Sequence, residues 1–288
     1  MYRMTTDAMN PNEIKALVSL LDDDDKEVQL HVEQKIISLG GPVIPFLEAE
    51  WETNFNPLVQ RKIEDLIHTL QLDTLKDKLR RWKDGGAQDL LEGMWLVATY
   101  QYPDLMLERL QKDLEQIYYE AWLDFKPTLH PHDQVKLLNS VLFGKMKFAA
   151  NTKNFHSPAN CMVNIVVDSK RGNPISLCVI YMLVATKLKM PVFGVNLPNL
   201  FILTYKSAET QFYINVFNKG IVFSRSDIDS YIKQLNLPPT DIFYDPCTHL
   251  DIVKRVFRNL ILAFEKTGDT DKVEEVKQLL GVVSGEKE

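Results

Sequence analysis

The sequence predicts an α+β protein in which a buried helix feeds an antiparallel sheet, flanked on both sides by all-helical segments. Three observations predict it. Asn173 followed by Pro174 reads as an N-cap with proline at the first helical position, and nearly every side chain over residues 175–188 is apolar. Such a helix has almost no face to show to water, and at about fourteen residues it is too short to cross a bilayer. After Pro191 the pattern changes to period two, with β-branched and aromatic residues at 192–197, 200–206 and 212–217 between turn signals. On either side of this core, apolar stripes recur at helical spacing.

Residues 11–82 read as all helix. Leu17, Leu20 and Leu21 close a first helix at a solvated acidic turn, residues 22–25. Val28, Val32, Ile36, Ile37 and Leu39 follow at helical spacing, stopped by Gly40-Gly41 and restarted by Pro42. Val59, Ile63, Leu66, Ile67 and Leu70 form another stripe. The pairs Val28-Gln29 and Val32-Glu33 recur as Val59-Gln60 and Ile63-Glu64, which resembles a HEAT-type repeat of about thirty residues. Two such helix pairs either cap the next domain or present a concave face to a partner.

Lys83-Asp84-Gly85-Gly86 marks a boundary. Helices are expected at 90–99 and 105–123, with Tyr100, Tyr102, Tyr118, Tyr119 and Trp122 as part of the core they form. His130-Pro131-His132-Asp133 has metal-ligand residue types. The proline between the histidines favours a loop and a helix start, no further ligand accompanies them, and no metal or cofactor is expected. A helix should occupy 135–144, and an irregular stretch 145–169, whose asparagines cap turns or line a cleft. Towards the end, a helix at 227–235 stops at Leu237-Pro238-Pro239. Val253, Val256, Phe257, Leu260 and Phe264 form one stripe, Gly268-Asp269 makes a turn, and Val273, Val276, Leu279 and Leu280 return as a hairpin. Residues 281–288 should fray.

The central stretch resembles the transglutaminase-like superfamily, in particular its SirB-type branch. The residues that carry the resemblance are Arg171-Gly172-Asn173-Pro174-Ile175-Ser176-Leu177, then Tyr181 and Ala185, Lys189-Met190-Pro191-Val192 with Gly194-Val195, and Pro198-Asn199-Leu200-Phe201. It extends back to Leu138-Asn139-Ser140-Val141-Leu142-Phe143 and forward to Arg255-Val256-Phe257-Arg258-Asn259-Leu260. What it implies is a papain/transglutaminase-like core at 87–246, preceded by the HEAT-like segment at 11–82 and followed by a TPR-like hairpin at 247–280. It also implies a nucleophilic Cys at the head of the buried helix, a His base on the next strand and an orienting Asp or Asn one strand further on. Here Ser176 stands near the nucleophile position, Leu200 where the His is expected in a Pro-Gly-His-Phe motif, and Asn215 where the Asp is expected. A serine without a base does not attack an amide, and Cys178 lies beyond the free N–H groups of the helix start. The resemblance therefore implies a protein that has lost the triad and serves as a binding or scaffolding module. The alternative is a cysteine hydrolase or amidase, or a transglutaminase-type enzyme, with a rebuilt site using Cys178 or Cys161 with His156.

Composition narrows the classes further. At 45% hydrophobic and 25% charged, the chain has the make-up of an ordinary globular protein of about two domains. A net charge of −6 gives no basic footprint for nucleic acid. Three cysteines without a CxxC argue against a disulfide framework or a zinc site. Residues 1–10 lack the apolar core of a signal peptide, and no apolar run reaches membrane-spanning length. A reducing cytoplasm is the expected compartment and a protein or peptide the expected partner, with oligomeric state open.

Overall fold

The computed structural model describes residues 10–285. Residues 1–9, read above for a leader, and 286–288, the end of the stretch expected to fray, lie outside the described residues. The chain divides into two compact units, Met1–Lys78 and Leu79–Glu288.

In the first unit α1 (Pro11–Ser19) is capped by Asn10, whose Oδ1 accepts from the Asn12 N–H at 3.0 Å. The acidic turn has a structural task as well as a solvated face: Asp25 caps α2 (Lys26–Leu39) by accepting from the Glu27 N–H. Gly40, at φ 72°, ends α2 and leads through a 3-10 turn at Gly41–Val43 into α3 (Ile44–Thr53). The long helix α4 (Pro57–Asp84) follows, and the division between the units falls within it. Ile14, Val18, Leu21, Val32, Ile36, Leu47, Ile63 and Leu70 close the core of this unit, so the stripes at helical spacing are its inward faces.

The second unit opens with α5 (Leu90–Thr99), α6 (Leu107–Trp122) and α7 (Pro131–Asn139). His130 caps α7, its Nδ1 accepting from the His132 N–H at 3.4 Å. The His132 ring stacks on Phe212. On α6 the buried face is Leu110, Leu114, Ile117 and Ala121. Tyr119 and Trp122 are each 54% exposed, which corrects the expectation that the aromatic stripe is core. For Tyr119 the reason is angular: it stands two positions from both Ile117 and Ala121, which puts it on the opposite face.

The stretch expected to be irregular is partly ordered. A two-residue strand β1 (Ala149–Ala150) and a 3-10 turn, Pro158–Cys161, precede the helix α8 (Val163–Ser169). Val163, Val166 and Val167 are buried at helical spacing, in a stretch whose preceding asparagines and Asn164 read as loop. Asn160 is buried and serves the loop backbone, donating to Asn154 O and Phe155 O and accepting from Asn151. β2 (Arg171–Gly172) pairs in parallel with β1.

The buried helix is α9 (Pro174–Lys187). Its partners are β3 (Val192–Leu197) and β4 (Leu200–Lys206) with α6 and α8. β5 (Gln211–Asn215) and β6 (Ile221–Phe223) complete an antiparallel sheet in the order β3-β4-β5-β6. The third predicted strand thus ends at Asn215, where a 3-10 turn begins, and β6 was unread because three residues carry too short a pattern. Beyond it come α10 (Arg225–Gln234), α11 (His249–Thr267) and α12 (Thr270–Ser284). α12 runs past residue 280 because Val282 and Val283 are buried, which corrects the expectation of fraying from 281. α11 and α12 form the predicted antiparallel hairpin through Gly268, at φ 78°.

Candidate functional site

Asn173 organises the head of α9. Its backbone is extended, and its Oδ1 accepts from the Ser176 N–H at 2.9 Å, satisfying a donor that the helix start leaves free. Pro174 follows where no N–H is needed. The Asn173 amide donates the other way, its Nδ2 lying 3.6 Å from Cys161 Sγ. One buried asparagine therefore ties the helix start to the 3-10 turn at Pro158–Cys161.

In front of this corner lies a cleft of about 220 Å³. Its walls are Phe155, His156, Ser157 and Cys161 from the loop, Asn173, Pro174 and Ile175 from the helix head, and Asn199 and Phe201 from the β3–β4 hairpin. Arg255, Asn259, Leu262 and Ala263 of α11 close it. The hairpin turn is Pro198-Asn199, with Asn199 at φ 58°. Proline followed by a left-handed residue is the type II pattern, and asparagine is the residue other than glycine that tolerates the second position best.

The three residues at the positions where the resemblance expects a triad each have other partners. Ser176 is buried behind the helix head, its Oγ donating to Asn173 O at 3.2 Å. Leu200 packs with Val195, Leu197, Ile202 and Tyr213 against Ile228 and Ile232 of α10. Strand residues alternate between faces, and it is the neighbouring Phe201 that lines the cleft. Asn215 ends β5, and its Oδ1 accepts from the Asn218 N–H at 3.1 Å to cap the following turn.

The alternative nucleophiles fare differently. Cys178, one turn inside α9, is fully buried with its Sγ 3.7 Å from Phe201 O, and burial pushes its thiol well above the ordinary value. Cys161 does line the cleft together with His156. Its thiol is nonetheless 1% exposed, and burial pushes it up to about 12, opposed only in part by the Asn173 hydrogen bond. The exposed His156 ring packs edge-on against Phe155. Cys247, whose N–H donates to Gly194 O of β3, is likewise pushed up to about 12 by burial, with the Asp251 charge adding to it. A thiol shifted in this direction carries less thiolate near neutral pH than an ordinary one, and among the described residues no cluster of His, Cys, Asp and Glu has the geometry to hold a metal ion.

Sequence reasoning cited Arg255 and Asn259 only as parts of a motif. Their i and i+4 spacing, which puts both on one helix face, was the available signal for their joint place in the cleft.

Comparison with known proteins gives the family. A family profile described as transglutaminase-like superfamily matches residues 108–258, more than half of the chain. A UPF0162 protein of Xylella fastidiosa is 26% identical over 200 residues, covering 64% of this chain and 67% of that protein. The UPF0162 protein YchA of Escherichia coli is 24% identical over 173 residues, 60% of this chain and 64% of that one. F-box only protein 21 of Mus musculus is 27% identical over 139 residues, 46% of this chain and 22% of that protein. No solved structure matches.

Proposed function

Starting from the fact that this chain belongs to the transglutaminase-like superfamily, we propose that it is a non-catalytic binding module whose cleft at the head of α9 holds a protein or peptide ligand without cleaving it. The observation that carries this reading is the state of the thiols beside the cleft: Cys161 and Cys178 are buried, and burial holds both protonated. Covalent catalysis needs a nucleophile activated by an adjacent base or by a lowered pKa. These thiols are shifted in the opposite direction. Leu200, on the α10 face of the sheet, supplies no base to the cleft.

The three-segment organisation belongs to the same reading. Residues 11–82 act as a HEAT-like surface, 87–246 as the core and 247–280 as a TPR-like brace. A reducing cytoplasm is the compartment it implies, supported by three cysteines with no pairing pattern. Among the described residues no helix is long and apolar enough to cross a membrane.

One observation favours a second reading. Cys161 and His156 line the same cleft, so a movement of the 155–161 loop that brings ring and sulfur together would make a cysteine hydrolase. Assays of amide and ester hydrolysis with wild type, Cys161→Ala and Cys178→Ala separate the two. The binding reading expects no turnover that depends on either cysteine. Turnover that is present in the wild type and abolished in one variant would establish the hydrolase instead.

A further inference from the structure

Arg255 is the feature of the cleft that neither the lost triad nor the packing explains. It stands half-buried on α11, and among the described residues only Nη1 of its five donors has partners: Asn196 Oδ1 at 2.8 Å and Leu197 O at 3.5 Å. Both are neutral acceptors. Burial and the like charge of Arg258 both disfavour its charged form, and the Tyr231 hydroxyl favours it. In a chain with a net charge of −6, no Asp or Glu among the described residues lines this cleft. A guanidinium withdrawn from water without a counter-ion is costly, and an anion that completes it recovers that cost.

The surroundings suit an anion with a small body. Asn259 lies one turn along the same face of α11, and the exposed Asn199 faces the cleft from the hairpin tip. Both carry amide donors, and the planar guanidinium is built to hold a carboxylate or a phosphate through two parallel bonds. Phe201 and Leu262 give the remainder of the lining an apolar character. At about 220 Å³ the space falls below the range of about 300–1,000 Å³ that accommodates drug-sized ligands, so it suits one residue-sized group.

We infer that Arg255, with Asn259 and Asn199 beside it, is an anion site that takes the carboxylate or phosphate of a small ligand whose short apolar part packs on Phe201 and Leu262. This names the ligand class for the binding cleft proposed above and rests on that reading. A free C-terminal residue of a peptide and a small organic acid share the carboxylate chemistry; a phosphate monoester is the other source.

The test is isothermal titration of the full chain with N-acetyl-leucine, with N-acetyl-leucinamide and with inorganic phosphate. The acid should bind at least about tenfold more tightly than the amide, the scale of a charge-assisted hydrogen bond. Arg255→Gln should abolish that preference, and Arg255→Lys should keep part of it, since the charge remains and the fork is lost. Binding of phosphate without the acid supports the site and assigns it to phosphate. Should Arg255→Gln not fold, Asn259→Ala, which leaves the charge in place, is expected to weaken the acid several-fold. Equal binding of acid and amide, or no binding of acid or phosphate at about 10 mM, overturns the anion site. Equal binding would leave the binding reading of the cleft standing, whereas cysteine-dependent turnover would end that reading whatever the titration gives.

Discussion

Gly172 is the place where the architecture of the helix head can be tested by one methyl group. A Cβ at this position would sit 2.5 Å from Ser176 Oγ, 2.9 Å from Val166 Cγ1 and 3.2 Å from Leu177 Cγ. Two of these separations are shorter than any relaxed contact, and the third is tight. The neighbours belong to α8 and α9, so they cannot withdraw independently. Overpacking of a filled core costs about 1–3 kcal/mol, and with two close contacts we take about 2 kcal/mol for Gly172→Ala. For a cooperative unit of this size each kcal/mol lowers the melting temperature by about 2–4 °C, giving a loss of about 4–8 °C. Far-UV circular dichroism on heating reads it directly. The variant Ser176→Ala removes the nearest atom at small cost by itself, because Asn173 O still accepts from the Leu177 N–H. The double variant should therefore recover about 1 kcal/mol, a non-additivity typical of side chains in contact. Equal melting of Gly172→Ala and wild type, or strictly additive losses, would show that β2 does not press against the helix head as described.

Two further outcomes follow from the same geometry. Leu200→His should gain no hydrolytic activity and should lose about 1–3 kcal/mol, because it puts a polar ring into the cluster under α10 rather than into the cleft; activity assays and denaturant melts check both. Stability should also fall at alkaline pH. Cys161, fully buried, has its thiol pKa raised to about 12, against about 8.5 in an unfolded chain. Below pH 8.5 the thiol is protonated in both states and its contribution is complete. Above it the unfolded thiol ionises while the folded one does not, so stability drops by about 1.4 kcal/mol per pH unit until pH passes about 12. Between pH 8.5 and 10, Cys161→Ala should lose about 2 kcal/mol less than wild type in urea titrations, and parallel profiles would refute the assignment.

Much of the fold was legible in local signals because those signals act locally. Asn173-Pro174 starts α9 where the N-cap chemistry places it, and the unbroken apolar run after it is buried on nearly every side. The turn at Pro198-Asn199 and the hairpin turn at Gly268 are likewise set by the backbone preferences of single residues. The site was less legible. A motif match assigns Leu200 to the base position, but which face of the sheet a strand residue occupies depends on the register and on what α10 covers. Cys161 and His156 meet the helix head through a loop whose path no periodicity reports. Arg255 reaches the cleft from more than fifty positions down the chain from the hairpin it completes, and only tertiary packing brings it there. The exposed Tyr119 and Trp122 show the converse limit, since aromatic residue type alone does not say which way a helix is turned.

Thiol alkylation tests the non-catalytic reading most directly. Native protein is treated with iodoacetamide from pH 5 to 9, and each cysteine is followed by peptide mass spectrometry. Burial pushes the Cys161 and Cys247 thiols up to about 12 and Cys178 well above its ordinary value, so at pH 7.5 each holds far less thiolate than an ordinary thiol of pKa about 8.5. All three sites should therefore stay almost unlabelled until urea is added. Rapid labelling of Cys161 or Cys178 in the native protein below pH 7 would reveal an activated nucleophile in the cleft and contradict the account.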